Sequence, residues 1–341
     1  MYGVIFGDIA GSKYEGGGRL DEDVTLPNDG LPKENSTFTD DTILTIAIAE
    51  ALLTAKSNGV LSNKKSVMQL CKESVLKWGR TYANVGYGAN FHSWLWEDFT
   101  PYNSCGNGSA MRVSPAGMIA ETLEEAKFLG RCTAAISHNH PEGMRGAECV
   151  AALTFLAGEG CSKEELYKEA LNYYDIRESF QELKDAPLTH DTFICQGAVP
   201  LAIVAFLNST CYEEVIRKLV SFGGDTDTTC AIAGAFAGLY YKIPEKFIHF
   251  AEKILAEDER KDIDIHLKSI IDEFLEDETV KKKLQYGRES DESYTNLYGR
   301  GEYTSAYPKA TELHFKGSRK EFPAKRSLKD RIIDLFSFRK Y

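Results

Sequence analysis

The sequence predicts an all-α protein. Three observations support this fold class: apolar residues recur at helical spacing in many segments, residues typical of helix starts and stops border those segments, and few segments alternate as strands do. Hydrophobic residues make up 43% of the 341-residue chain, which is ample for a sizeable core. We therefore expect a bundle-like helical domain over residues 1–286.

The predicted helices can be placed in order by their boundary residues. The first begins near the polar residues at position 39 and ends at Gly59. A Thr-x-x-Glu capping box at Thr122 begins another, and Pro200 would kink a later helix or mark its start. Gly223 ends the helix that precedes a pair of aspartates. The other predicted helices cover residues 63–82, 144–160, 162–174 and 244–257, and one more follows the paired aspartates within 221–241.

Charge and cysteine usage exclude several classes of protein. The formal net charge of −11 argues against a general binder of nucleic acids or anionic membranes. The eight cysteines include no CxxC pair and several lie in apolar runs, so we expect reduced, mostly buried thiols. No apolar stretch reaches the ~18 residues typical of a membrane span, and an aspartate at position 8 argues against a signal peptide. We expect a cytoplasmic monomer.

The composition changes after about residue 287. Residues 287–341 are rich in Tyr, Ser, Gly and charged residues, and only the last fifteen regain a short amphipathic pattern. This basic end would contact a membrane or a partner, or form a tail helix folded back on the domain, and we favour the tail helix. We therefore divide the chain into a helical domain (1–286) and a C-terminal extension of unknown role (287–341).

Two polar clusters stand directly before predicted helices. The first acidic cluster consists of Thr39, Asp40 and Asp41, and the second acidic cluster consists of Asp225, Asp227 and Thr228. Capping needs one acceptor at each helix start, whereas each cluster offers two carboxylates and a hydroxyl. Two divalent cations would balance the four carboxylates, and oxygen ligands without Cys or His favour Mg²⁺, Mn²⁺ or Ca²⁺ over Zn²⁺. The pattern favours a metal site over paired helix caps.

Three further stretches contain residue types that suit a ligand site. Glu15 lies in the glycine-rich segment GDIAGSKYEG; a loop glutamate is usually solvated, but beside metals it is a candidate general acid/base. The stretch GNGSAM could place backbone N–H groups against phosphate. His138 and His140 in SHNHPEG could bind metal, contact a ligand or cap a helix, and capping is the default.

Taken together, these stretches resemble the ADP-ribosylglycohydrolase family. The matching segments, in order over residues 3–240, are GDIAGSKYEG, FTDDT, GNGSAMRVSP, SHNHPEG and GGDTDT. The resemblance implies a compact orthogonal helical bundle with a cleft that holds two Mg²⁺ ions, with Mn²⁺ as the alternative metal. The family pattern does not include the C-terminal extension.

The resemblance also implies a role for each residue. The two acidic clusters would hold the metal ions, with Asp227 as the bridge, and Glu15, Asp41 and Asp227 would be the catalytic residues. The residues implied to bind the substrate are Gly106, Asn107, Gly108, Ser109 and His138.

The implied reaction is cleavage of the glycosidic bond between ADP-ribose and an acceptor. The acceptor would be a protein side chain such as arginine or serine, or a small-molecule ADP-ribose conjugate, and the sequence does not distinguish them. One alternative is a non-catalytic relative that binds ADP-ribose or has a structural role, although the intact acidic ligands argue against it. A different metal hydrolase, acting on a phosphoester or a nucleoside, is the other alternative.

Overall fold

The protein is built from α-helices. The computed structural model describes residues 1–20, 24–26, 36–97, 99–176, 179–185, 191–257 and 261–291, excluding the side chains of 261–266. Within these ranges β-structure is limited to isolated single-residue bridges, so the predicted all-α fold is confirmed. The helices are α1 (Tyr2–Ser12), α2 (Asp40–Ser57), α3 (Lys64–Thr81), α4 (Ala89–Trp96), α5 (Gly108–Met111), α6 (Ser114–Ile119), α7 (Leu123–Ala135), α8 (Pro141–Gly158), α9 (Lys163–Ala170), α10 (Phe180–Asp185), α11 (Cys195–Leu207), α12 (Tyr212–Phe222), α13 (Thr226–Tyr240), α14 (Glu245–Ala256), α15 (Lys261–Glu276) and α16 (Glu278–Lys283), followed by a 3₁₀-helix at Leu284–Tyr286.

Helix α13 lies at the centre of the fold. Nearly all of its residues are buried, and it packs against α1, α8, α11 and α12. Its sequence, TDTTCAIAGAFAGLY, has small or apolar residues on every side after the first turn, which is typical of a helix surrounded by other helices. Because most of these side chains are small, neighbouring backbones can approach it closely.

Helix α1 packs against α13 through a row of glycines. Gly3, Gly7 and Gly11 are spaced one helical turn apart on the contacting face. A Cβ atom added to Gly11 would lie 2.4 Å from the backbone N of Asp227, and one added to Gly3 would lie 2.4 Å from the carbonyl oxygen of Gly234. These contacts leave no room for a side chain, and they bring the end of α1 to the start of α13.

The N-terminal segment is more helical than its glycine-rich composition suggests. The glycine-rich stretch 7–16 is helical through Ser12 and forms turns only over residues 13–16. Glycine is a poor helix former in isolation because it loses much backbone entropy. Here the tight packing against α13 requires glycine and outweighs that preference.

Side-chain caps define several of the predicted helix starts. Thr39 caps α2, and Asn63 caps α3 by accepting the N–H of Ser66. Thr122 accepts the N–H of Glu125 at the start of α7, as the predicted capping box requires. The second bond of that box is different, because the Glu125 carboxylate accepts the N–H of residue 121 rather than that of Thr122.

Pro200 lies inside α11 rather than at its start. It is the sixth residue of a helix that begins at Cys195 and continues to Leu207. Proline has no N–H to donate to the carbonyl one turn earlier, so the helix continues without that bond.

The prediction of reduced, mostly buried cysteines is confirmed. All eight cysteines are free thiols and five of them are buried. No helix in the described part of the chain is both long and apolar enough to cross a membrane.

The boundary between the helical domain and the C-terminal extension, at residue 286, stays a prediction. Past residue 286, Arg288 N–H donates to Tyr240 O at 3.0 Å, and Asp291 N–H donates to Thr210 O at 2.9 Å. The remainder of the predicted extension, residues 292–341, lies outside the described residues.

Candidate active site

Both acidic clusters lie at the N-terminal ends of helices. Thr39 is the N-cap of α2, and its hydroxyl accepts the N–H of Asp41. Asp225 is the N-cap position of α13 but makes no side-chain capping bond, and Asp227 lies in the first turn of that helix. The N-terminal end of a helix favours negative charge. Capping therefore explains part of the first cluster but not the second.

The carboxylates of the two clusters converge. Single side-chain oxygens of Asp8, Asp41 and Asp227 lie within 4.8 Å of one another, and so do those of Glu15, Asp225 and Asp227. Asp227 belongs to both groups, and Glu15 is the exposed member. So many carboxylates at this separation repel one another unless they hold protons or bind cations.

The surroundings of Asp41 suit a cation ligand. Its Oδ2 lies 3.2 Å from the hydroxyl oxygens of both Thr39 and Thr228. Its Oδ1 is buried and has no hydrogen-bond partner. An unpaired carboxylate oxygen is costly to bury, and a bound cation would remove that cost. Carboxylate and hydroxyl oxygens are hard ligands, so the residues present fit Mg²⁺ or Mn²⁺.

Electrostatics at this site favour proton or metal binding. Burial, and then the neighbouring carboxylates, raise the pKa of Asp41 and of Asp227 well above the usual range. The same two causes raise the pKa of Asp40. A divalent cation would reverse this effect, because its charge stabilises the ionised carboxylates.

Asp40 and Thr228 occupy different parts of the site. Asp40 is half-buried at the first position of α2, where its N–H donates to Val85 O at 2.8 Å. It belongs to neither of the two converging groups of carboxylates. Thr228 is buried, and its N–H donates to Asp227 Oδ1 at 2.9 Å while its hydroxyl contacts Asp41. Thr228 therefore links the two clusters directly.

Asp8 is part of the site, although the sequence analysis does not include it. It is fully buried in α1 and accepts four hydrogen bonds, from the N–H and hydroxyl groups of Thr39 and Thr42. Burial raises its pKa to about 6, although the four hydrogen bonds act in the opposite direction. The sequence signal for Asp8 is a single acid inside the otherwise apolar GVIFGDIAG.

Glu15 lies in a turn that is fixed to the start of α13. Gly16 N–H donates to Gly224 O at 2.8 Å, and Gly224 N–H donates to Gly17 O at 3.0 Å. Gly224 has φ +80°, a conformation that favours glycine. Partial burial, followed by repulsion from Asp225, raises the pKa of Glu15. These bonds place the carboxylate at the exposed edge of the site.

The GNGS stretch, residues 106–109, lies beside the second cluster. Asn107 donates its side-chain amide to Asp225 Oδ2 at 2.7 Å and to Thr192 O at 2.8 Å. Ser109 is fully buried, and its hydroxyl donates to Gly143 O at 2.7 Å. The side chain of Ser109 therefore bonds within the protein rather than facing the acidic clusters.

His138 is buried against the same stretch. A Cβ atom on Gly108 would lie 3.1 Å from His138 Nε2, and one on Gly106 would lie 3.5 Å from it. Its Nδ1 lies 2.8 Å from Ser137 Oγ, which in turn accepts a bond from Arg112 at 2.8 Å. Burial, followed by repulsion from Arg112, lowers the pKa of His138, so the ring is neutral. The other histidine of that segment caps α8, as expected.

Comparisons with known proteins point to one family. The profile of the ADP-ribosylglycohydrolase family matches residues 1–282. The chain is 25% identical to the human ADP-ribosylhydrolase ARH3, with 72% of this chain and 86% of that protein covered. It is 23% identical to the ADP-ribosylarginine hydrolase Tri1 of Pseudomonas putida strain GB-1, with 74% and 72% covered.

Two further similarities extend this result. The chain is 26% identical to the ADP-ribosyl-(dinitrogen reductase) glycohydrolase of Rhodospirillum rubrum, with 61% of this chain and 70% of that protein covered. A solved structure, an ADP-ribosylglycohydrolase-related protein complex, has a similar fold with a TM-score of 0.53 at 24% identity, covering 79% of this chain and 95% of that one. Because the family profile covers most of the sequence, this chain belongs to the ADP-ribosylglycohydrolase family.

Proposed function

We propose that this protein is a metal-dependent hydrolase that cleaves the glycosidic bond between ADP-ribose and an acceptor, and so reverses ADP-ribosylation. The observation that carries the proposal is the unpartnered, buried Oδ1 of Asp41 within a group of converging carboxylates. Family membership supports the reaction, and the related proteins are named as hydrolases of ADP-ribose linkages.

The two acidic clusters supply the ligands for two divalent cations, Mg²⁺ or Mn²⁺. Thr39, Asp41, Asp225 and Thr228 would hold the two cations, and Asp227 would contribute to both because it belongs to both groups of converging carboxylates. Asp40, at the edge of the first cluster, would be a further ligand. Bound cations of this kind hold sugar hydroxyls and polarise a water molecule.

Glu15 is the proposed general acid/base. Its carboxylate is exposed and lies next to the second cluster, and partial burial, followed by repulsion from Asp225, raises its pKa, which favours a role in proton transfer. Cleavage at the ribose carbon passes through an oxocarbenium-like state, which needs a proton donor for the leaving group or a base for the attacking water.

The GNGS stretch and His138 form the proposed substrate-binding side. The first N–H groups of α5, which begins at Gly108, have no partner within the helix and suit phosphate oxygens. Arg112 can only donate, so Ser137 accepts its bond with one lone pair, and its own proton is free to be donated to His138 Nδ1, 2.8 Å away. We therefore assign the ring proton to Nε2, which faces Gly106 and Gly108 and can donate to the ligand.

The test measures release of free ADP-ribose from matched arginine-linked and serine-linked ADP-ribosyl peptides and from a small-molecule conjugate. Each reaction is run with Mg²⁺, with EDTA, and with Mg²⁺ restored after EDTA. Release from one substrate, lost in EDTA and recovered with Mg²⁺, is expected and identifies the acceptor. Glu15→Gln should bind ADP-ribose but lose turnover. Glu164→Gln, at a half-exposed glutamate paired with Lys168 on α9, should match the wild type.

The other outcomes identify the alternatives. Tight binding of ADP-ribose without cleavage of any conjugate would favour the non-catalytic relative. Release of inorganic phosphate, or of a free base from a nucleoside, would favour a different metal hydrolase. Either result would contradict the proposed reaction.

A further inference from the structure

Asp8 is a buried carboxylate to which the proposed reaction gives no role. Its Oδ2 accepts the N–H groups of Thr39 and Thr42 at 2.9 and 3.1 Å, and also the Thr42 hydroxyl at 2.5 Å. Its Oδ1 accepts the Thr39 hydroxyl at 2.8 Å. The two oxygens therefore have different functions: Oδ2 holds the start of α2, and Oδ1 contacts a side chain of the first acidic cluster.

The contact with Oδ1 determines where the Thr39 hydroxyl proton lies. Thr39 Oγ1 is 2.8 Å from Asp8 Oδ1 but 3.2 Å from Asp41 Oδ2, so the shorter and better bond is to Asp8. A hydroxyl has one proton and two lone pairs. With the proton toward Asp8, a lone pair of Thr39 faces Asp41 Oδ2, and the other oxygen of that carboxylate, Oδ1, is buried without a hydrogen-bond partner. Two acceptors that face each other repel unless a proton or a cation lies between them.

We propose that Asp8 is a positioning residue, which holds the Thr39 hydroxyl with its lone pair toward a cation beside Asp41. The inference rests on the proposed metal centre and adds the group that orients one of its ligands. Carboxylates that orient metal ligands through hydrogen bonds commonly change metal affinity by about 10- to 100-fold when they are removed.

Asp8→Asn tests this role because it keeps the shape and changes one atom. Three donors point at Oδ2, so the asparagine carbonyl oxygen takes that place and its NH₂ group takes the place of Oδ1. The NH₂ group then donates to Thr39 Oγ1, and the Thr39 proton turns toward the cation. Thr42→Val is the matched control, because it removes a bond to Asp8 without changing the Thr39 hydroxyl.

Mn²⁺ affinity, measured by electron paramagnetic resonance of the free ion without substrate, separates the possibilities. We expect Asp8→Asn to weaken binding by about 10- to 100-fold in the wild type but only by about threefold in a Thr39→Val background. The threefold loss in the Thr39→Val background is the part that comes from removing a nearby negative charge, because that background has no Thr39 hydroxyl to orient. Thr42→Val should stay within about twofold of the wild type.

An equal loss in both backgrounds would overturn the inference, because Asp8 would then act as a direct ligand or only by its charge. Absence of Mn²⁺ binding to the wild type would instead refute the metal centre itself. If Asp8→Asn does not fold, a neutron structure of the Mn²⁺-bound wild type gives the answer. The deuterium on Thr39 Oγ1 should point toward Asp8, and a deuterium toward Asp41 would overturn the inference.

Discussion

The two acidic clusters are similar in sequence but are held by different neighbours. The first cluster receives the buried carboxylate of Asp8, which bonds to both the backbone and the hydroxyl of Thr39. In the second cluster, Asp225 Oδ2 accepts the amide of Asn107, and its N–H donates to Thr192 Oγ1 at 2.9 Å. A negative charge therefore supports one cluster, and neutral groups support the other.

This difference has an energetic consequence. Asp8 adds a fifth negative charge to the four carboxylates of the clusters, and its repulsion is one of the causes of the raised pKa of Asp41. Asp41 Oδ1 is buried without a hydrogen-bond partner, whereas Asp225 Oδ2 accepts the Asn107 amide and neither Asp225 side-chain oxygen is buried without a partner. The first cluster should therefore depend more strongly on a bound cation than the second.

The largest expected effects come from removing single charges. Asp41→Asn and Asp227→Asn should each lower turnover by about a hundredfold or more, because the metal ligands are lost. The same changes should raise the melting temperature in EDTA, because they relieve the repulsion. Because the first cluster should depend more on a cation, the melting temperature in EDTA should rise more for Asp41→Asn than for Asp225→Asn. Equal increases would contradict this difference between the clusters. Asp185→Asn, an exposed change on α10, should alter neither activity nor stability.

The contact between α1 and α13 holds both clusters together, so its disruption should affect both. A Cβ atom at Gly11 would lie 2.4 Å from two backbone atoms of α13, and we expect Gly11→Ala to lower the free energy of unfolding by about 1–3 kcal/mol. Gly88→Ala is the matched control, since nothing lies within 4 Å of its added Cβ. Urea unfolding of both variants measures the difference, and equal stabilities would contradict the close contact.

Asn107→Ala tests the neutral support of the second cluster. The change removes the donor to Asp225 Oδ2 and to Thr192 O, and it should cost about 1–3 kcal/mol in metal-free stability. Added Mg²⁺ should recover part of the loss, because a cation replaces the missing donor. Asn172→Ala, on an exposed turn, is the control for thermal unfolding with and without Mg²⁺. A variant as stable as the wild type in EDTA would show that Asp225 does not need this support.

The smallest expected effect is a pH dependence in EDTA. A carboxyl whose pKa is raised by folding contributes stability below its unfolded pKa of about 4, and this contribution is lost as pH rises through the folded pKa. The wild type should therefore lose stability relative to Asp41→Asn as pH rises, by at most about 1.4 kcal/mol per pH unit. The lowered pKa of His138 makes stability rise with pH, but it does so in both proteins. Its effect therefore cancels in the difference between them. A constant difference between the two melting temperatures would contradict the raised pKa.

The sequence predicts much of this site because its polar residues follow local rules. Thr39 and Asp225 stand at helix starts, where sequence signals are strong, and the helices themselves follow apolar periodicity. Asp8 was missed because its role depends on a helix that lies next to it only in the fold. Ser109 shows a related effect: the sequence indicates its stretch but cannot show that the side chain is buried against Gly143.

The fold of the first twelve residues could not be predicted by composition for a similar reason. Gly3, Gly7 and Gly11 suggest a loop in isolation, but they are spaced at one-turn intervals and each lies against the backbone of α13, Gly3 against Gly234. The close contact is a property of the helix pair, so neither helix alone reveals it. Glycines at four-residue spacing in both segments are the signal that would identify such a contact.

Anomalous diffraction from Mn²⁺-bound crystals tests the metal centre most directly. We predict two Mn²⁺ peaks, one within ligand distance of the unpartnered Oδ1 of Asp41 and one beside Asp225, with Asp227 between them. No peak near Asp41 Oδ1 at saturating Mn²⁺ would contradict the proposal that the two acidic clusters form one catalytic metal centre.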